Sequence, residues 1–246
     1  MPSSEPLMTI SWETPSSWPR LSDDEIHVWC VELDAAGKEA ALAACLSEEE
    51  RGRASGLLSG THQRRFVAAR GMLRQLLGRY LGQDPGAVAF ARGAHGKPFL
   101  TEGGLDFNVS HTHELALYAI ARDREVGVDV EWMRPQVAHE QIAARFFSLE
   151  EQEALAQVPT EERRAAFYNI WTRKEAYVKA RGDGIAAGLG TFAVSLGAEA
   201  ALLHSDEGRD EVERWKLMAL EPADGYVAAL CGAGVDWQMR CWRWRP

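Results

Sequence analysis

The stretch that most constrains this chain is Trp171-Thr172-Arg173-Lys174-Glu175-Ala176-Tyr177-Val178-Lys179, which runs straight into Ala180-Arg181-Gly182-Asp183-Gly184. It reads as the end of a helix, because Gly182 and Gly184 stop the turn and free the backbone to bend. Trp171, Glu175 and Lys179 stand four residues apart and share one stripe of that helix. A carboxylate and an ammonium one turn apart can be a salt bridge on an amphipathic surface. They can equally be a metal ligand and a phosphate-pairing cation held on one rigid face. A second stretch elsewhere has to decide between the two.

Length and composition narrow the field. The 246 residues, 46% hydrophobic and 26% charged, are enough for one large domain or two small ones and argue against disorder. The net charge of −9 argues against a nucleic-acid binder, which would present a basic face. Cys30, Cys45, Cys231 and Cys241 form no CxxC pair and, with the histidines, no zinc-finger spacing, so buried free thiols in a reducing cytosol are expected. The start of the chain lacks the basic and apolar regions of a signal peptide, and no apolar run has transmembrane length. The expectation is a cytoplasmic protein with no membrane contact, preceded by a loose, Pro-containing leader over residues 1–24.

In chain order, residues 26–33 read as a strand, and Ser47 with Glu50 reads as a capping box opening a helix. A long helix is expected over 61–81, with Phe66, Ala69, Leu73, Leu76, Leu77 and Tyr80 on its apolar face. Its other face carries Arg64, Arg65, Arg70, Arg74 and Arg79 with no acid among them, the pattern of an anion-facing or simply solvated helix. His95-Gly96-Lys97-Pro98 is a turn that presents Lys97. Leu105-Asp106-Phe107-Asn108-Val109-Ser110-His111 is a strand with a polar end, and no Gly-x-Ser-x-Gly elbow surrounds Ser110. Further strands are expected over 115–120, 189–196, 214–220, 225–231 and 235–244, with helical regions over 142–156 and 161–180.

Val126-Gly127-Val128-Asp129-Val130-Glu131-Trp132 is the second stretch. In a strand Asp129 and Glu131 point to one face while Val128 and Val130 point to the other. Two neighbouring acids on one face repel unless water screens them or a cation lies between them. Oxygen donors without Cys or His suit magnesium, with manganese tolerated. Ser148 with Glu151 repeats the capping box, and capping alone would explain that glutamate.

The two halves echo each other. Val31-Glu32, then Ser47 to Glu50, then Phe66 in a long helix, recur as Val130-Glu131, Ser148 to Glu151 and Phe167, at an offset of roughly one hundred residues, well beyond a solenoid period. The expected fold class is α+β, built from two similar halves, 25–122 and 123–246, packed face to face. At that offset Arg74 stands against Glu175, so one half would offer cations where the other offers carboxylates, across a cleft between them.

Taken in order over about residues 45–190, these motifs resemble the 4′-phosphopantetheinyl transferases of the surfactin-synthetase-activating type. Those motifs are Gly96-Lys97-Pro98, Phe107-Asn108-Val109-Ser110-His111, Gly127-Val128-Asp129-Val130-Glu131 and Trp171 to Lys179. The resemblance implies a pseudo-twofold pair of α+β halves with the active site between them. It implies transfer of 4′-phosphopantetheine from coenzyme A to a serine of an acyl or peptidyl carrier protein, with release of 3′,5′-ADP. Asp129, Glu131 and Glu175 would ligate magnesium, and Lys179 would pair with the pyrophosphate. Ser110 and His111 would contact the coenzyme A phosphates, and Lys97 would lie beside the nucleotide. Glu151 matches the position proposed as general base, and Arg51, Arg53, Arg64 and Arg65 are candidates for the 3′-phosphate. A fused pair of halves needs no dimer, so a monomer is expected. Two other classes stay open: a magnesium-dependent nucleotide pyrophosphate hydrolase, and a non-catalytic coenzyme A-binding domain.

Overall fold

The computed structural model describes residues 11–35, 39–134, 138–184 and 188–245; residues 1–10 of the leader lie outside them. The first half contains β1 (Glu25–Glu32), α1 (Glu39–Ala44), α2 (Glu48–Ser55), α3 (Gly60–Leu81), the hairpin β2 (Phe90–Arg92) and β3 (Pro98–Leu100), β4 (Leu105–Thr112) and β5 (Leu115–Arg122). The second repeats that order: β6 (Val126–Trp132), α4 (His139–Phe146), α5 (Leu149–Gln157), α6 (Thr160–Arg181), the pair β7 (Phe192–Val194) and β8 (Leu202–Ser205), then α7 (Arg209–Arg214), β9 (Trp215–Leu220) and β10 (Tyr226–Ala233). The final strand, β11 (Gln238–Arg243), runs back to pair in parallel with β1.

Sheet order repeats as well. The first sheet runs β11-β1-β5-β4 and the second β6-β10-β9. Without β11, each places its first strand beside its last, with the middle strand outside. The two long helices are both 22 residues, and each ends on a glycine in the left-handed region, Gly82 at φ +67° and Gly182 at φ +79°. Only glycine takes that conformation without strain, so the same residue closes both copies. The capping boxes expected at Ser47/Glu50 and Ser148/Glu151 are both formed. The second one breaks the expected 142–156 helix in two, because Ser148 caps α5 from an extended backbone. Helices α1 and α7 and strand β8 carry too few periodic residues to be read from sequence.

Three cores stack in layers. Alternation along β1 and β5 sends Trp29, Val31, Ala116, Tyr118 and Ile120 toward α3, whose Leu73, Leu76 and Leu77 fill that face. The opposite faces, Val28, Cys30, Leu117 and Ala119, meet Val128, Val130, Ala228 and Leu230 of the second sheet. The outer face of that sheet is covered by α6, with Phe167, Ile170 and Tyr177 against Ala229, Cys231 and Leu217. The order is helix, sheet, sheet, helix. All four cysteines are buried and free. Trp18 stacks on Trp29 with ring centres 4.9 Å apart, and Trp12 donates its indole N–H to the Glu221 carbonyl at 2.9 Å, so this end of the expected leader packs on the body. Among the described residues no helix is long and apolar enough to cross a membrane.

Candidate active site

The two sheets meet edge to edge where β4 lies along β6, and side chains close the seam. The Val128 amide donates to Asn108 Oδ1 at 3.0 Å, and the Val130 amide donates to Ser110 Oγ at 3.3 Å. Asn108, Ser110 and Thr112, at alternate positions of β4, therefore stand in for a missing ladder and bring β4 hydroxyls against the β6 acids. No motif in the sequence points to Asn108 or Thr112 singly, although the i, i+2 spacing of three polar residues is a visible signal for such a seam.

The β6 alternation is as expected from sequence: Val128 and Val130 enter the inter-sheet core, and Asp129 and Glu131 turn to the α6 side. Helix α6 approaches there closely because position 127 is glycine. A Cβ on Gly127 would come within 2.1 Å of the Ala176 carbonyl oxygen and 2.3 Å of the Ala180 nitrogen. That approach sets Glu175 and Lys179 over the strand. Lys179 Nζ donates to Asp129 Oδ1 at 2.5 Å and to Ser110 Oγ at 3.1 Å, and Ser110 Oγ donates to Asp129 Oδ1 at 2.8 Å. Thr112 Oγ1 donates to Glu131 Oε2 at 3.3 Å. Trp171, on the same stripe, instead packs between Phe146 and Phe167.

Three carboxylates thus share one seam with a single ammonium. Asp129 is 3% exposed and Glu175 9%, and Asp129 Oδ2 and Glu175 Oε1 are buried without any hydrogen-bond donor. Burial, with the Asp129 charge and in smaller part that of Glu131, pushes the Glu175 carboxyl up, and Lys179 only partly opposes this. Burial and the Asp129 charge push Glu131 up as well, against Thr112 and Lys179. Among the described residues no three His, Cys, Asp or Glu side chains lie close enough, as they stand, to close around an ion; Asp129 is drawn onto Lys179. The donor set is nonetheless of the kind a hard divalent cation takes: oxygen only, charge-crowded, with two buried oxygens lacking a partner.

A raised carboxyl pKa destabilises the fold as pH rises. The folded state holds the proton that the unfolded chain gives up near the ordinary carboxylate range, so stability falls between that range and the raised values of Glu131 and Glu175. Glu175→Gln is therefore expected to raise the melting temperature of the metal-free protein by about 2–4 °C, and only above that range. Differential scanning fluorimetry at pH 4 and pH 8 reads this directly; an unchanged or lower melting temperature at pH 8 would contradict the crowding.

Beside the seam lies a cleft of about 650 Å³, lined by Arg53, Arg65, Arg70, His111 and Arg134 and floored by Phe66. Of the four arginines expected at the anion, Arg53 and Arg65 reach this cleft. Arg65 is already gripped by Asp34 through two bonds of 2.8 and 2.5 Å. Arg51 turns back to the Leu46 carbonyl, and Arg64 lies on another face beside Thr61. Lys97 Nζ donates to the Val126 and Ala180 carbonyls at 3.1 and 2.8 Å, tying the β3 turn to β6 and α6, and burial pushes its pKa down.

The expected opposition of Arg74 and Glu175 is not found. The capping glycines pair Arg74 with Lys174, one position earlier, and both are buried in ion pairs: Arg74 with Glu50 at 2.6 Å, Lys174 with Glu151 at 2.8 Å. Arg70 joins Glu50 too, so the arginine stripe of α3 is largely neutralised by carboxylates from its own half. Glu151 is 2% exposed, and the structure does not bring it to the Asp129 group; its oxygens accept from the Ser148 and Val194 amides, each at 2.8 Å, and from Lys174.

A pseudo-twofold α+β pair with carboxylates and a lysine at its seam carries the kinds of side chain that phosphoryl-group transfer calls on. Residues 125–231 match the family model of the 4′-phosphopantetheinyl transferase superfamily, and residues 36–122 match that of the 4′-phosphopantetheinyl transferase N-terminal region. The chain is 42% identical over 230 residues to the 4′-phosphopantetheinyl transferase HetI of Nostoc sp. strain PCC 7120, covering 91% of this chain and 94% of that protein. Similarity extends to psf-1 of Bacillus pumilus (30% identical, 76% of this chain and 78% of that one) and to Sfp of Bacillus subtilis strain 168 (28%, 67% and 72%). The chain belongs to the 4′-phosphopantetheinyl transferase superfamily. It is an enzyme that transfers phosphopantetheine from coenzyme A to a carrier-protein serine.

Proposed function

We propose that the β4–β6–α6 seam is where this transfer takes place. Asp129, Glu131 and Glu175 would hold magnesium, or manganese in its stead, against the pyrophosphate of coenzyme A. When bound, the cation neutralises charge that builds on the pyrophosphate oxygens as the leaving group departs. Lys179 turns from Asp129 to the pyrophosphate and adds its own positive charge. Ser110 and His111 present donors to phosphate oxygens from the β4 side. Arg53, Arg65 and Arg134 line the adjoining cleft, where a 3′-phosphate would be screened by guanidinium groups. The carrier serine hydroxyl attacks the β-phosphorus: its O–P bond forms, its proton passes to solvent water, and the bond from that phosphorus to the bridging oxygen breaks, the oxygen leaving with its electron pair on 3′,5′-ADP. Supporting this reading above all is one observation: Asp129 Oδ2 and Glu175 Oε1, buried without a donor, beside a lysine on the same helix face.

The partner is an acyl or peptidyl carrier protein, and the protein acts as a cytoplasmic monomer. Arg163 and Arg164, at the start of α6, would meet an acidic carrier. They border a surface hollow of about 570 Å³ with His139 and Glu140. The reading is tested by intact mass of an apo carrier after incubation with the enzyme, coenzyme A and magnesium. A gain of one phosphopantetheine is expected, absent when the carrier serine is changed to alanine. Coenzyme A consumed without any carrier would favour the hydrolase instead, and coenzyme A bound but not consumed would favour the binding domain.

A further inference from the structure

We infer that Glu151 is a positioning residue and not the proton acceptor of the reaction: with Lys174 it forms a buried brace that fixes the rotation of α6. The inference rests on the assignment of Glu175 and Lys179 above. Lys174 is fully buried, and its ammonium has three acceptors: Glu151 Oε2 at 2.8 Å and the carbonyls of Leu189 and Phe192 at 2.7 and 2.6 Å. An ammonium has three N–H bonds, so it is saturated. The Glu151 carboxylate takes Lys174 and the Ser148 amide on one oxygen and the Val194 amide on the other. Helix α5, helix α6 and strand β7 are thereby pinned at one point. Lys174 precedes Glu175 in sequence, so what fixes the direction of one side chain fixes the direction of the next.

The first half supplies an internal control. There Ser47 caps α2, Glu50 accepts from the Ser47 amide at 2.9 Å, and Arg74 binds Glu50 while donating to the Pro85 and Val88 carbonyls of the following segment. Cap, carboxylate, helix cation and two carbonyls beyond the helix recur in the same order. The helix cation is arginine in the first half and lysine in the second, and one further position differs. Arg70 takes the second Glu50 oxygen, whereas its counterpart Ile170 cannot, and in the second half the Val194 amide takes that role. A constellation kept in the half that lacks the acidic triad is explained by holding a long helix to its neighbours. The second copy has been placed behind the helix that carries Glu175 and Lys179.

Glu151→Gln strands the Lys174 ammonium without its counter-charge, and α6 must shift to rehydrate it. The expected result is a loss of about 10–100-fold in kcat, the scale of a misplaced reactive group. Adding Lys174→Gln removes the stranded charge while leaving an amide N–H2 to donate to the Leu189 and Phe192 carbonyls, and the double variant is expected to recover to within about fivefold of wild type, the signature of two coupled residues. The acid limb of the kcat–pH profile should be the same in wild type and Glu151→Gln. A double variant as slow as Glu151→Gln, or an acid limb flattened by Glu151→Gln, would overturn the inference in favour of a base. Hydrogen exchange at Leu189–Val194 separates the two assignments. Faster exchange in Glu151→Gln, restored in the double variant, supports the brace even where a wild type without transfer has refuted the site assignment, and unchanged exchange refutes the brace whatever the activity.

Discussion

Asp129→Ala is expected to slow carrier modification by about 10²–10³-fold, the scale of removing one element of preorganised charge stabilisation. Asp129 is the residue on which the seam converges, bonded at once to Lys179 and Ser110 and flanked by Glu131 and Glu175. Its loss takes away one of three oxygen donors and frees Lys179 to pair with Glu175 instead. The fold should survive, because the change also relieves like-charge crowding and Lys179 retains access to water. Steady-state transfer measured by carrier mass, with circular dichroism as the folding control, checks both halves of the expectation. Near-normal turnover would contradict the assignment of Asp129.

Gly127→Ala is expected to be the most damaging single-methyl change in the seam. The added carbon would lie 2.1 Å from a helix carbonyl and 2.3 Å from a helix nitrogen, inside any allowed contact, and backbone cannot rotate away as a side chain can. Overpacking costs about 1–3 kcal/mol, and a clash with backbone on both sides belongs at the upper end, a large part of the roughly 5–15 kcal/mol typical of a folded domain. Relief comes only by lifting α6 from β6, which also carries Glu175 and Lys179 away from Asp129. Chemical denaturation should show the midpoint moving down with the slope unchanged, and transfer should fall with it. A wild-type midpoint would show that the close approach is not needed.

The repeated organisation was legible because it is written in local chemistry. Two Ser-x-x-Glu caps, the amphipathic face of α3 and the glycines that stop α6 need no tertiary information. The β6 acids were legible for the same reason, since strand alternation fixes their face. The sequence could not reveal that the arginine stripe of α3 is answered from far along the chain by Asp34 and Glu50. Nor could it show a one-residue difference in register, which replaces an expected Arg74–Glu175 opposition with two buried ion pairs. Those depend on how helices rotate against their neighbours, and periodicity is blind to that. The shortest elements, α1, α7 and β8, are held by packing more than by their own pattern.

Manganese binding in the presence of coenzyme A tests the central claim most directly. Free manganese followed by electron paramagnetic resonance, titrated against wild type, Asp129→Ala and Glu175→Gln, reports occupancy without requiring turnover. One site in the wild type, weakened at least about tenfold in both variants, is the expected result, since each removes a charged oxygen donor. One site of unchanged affinity in all three proteins would place the cation elsewhere and contradict the assignment of the seam.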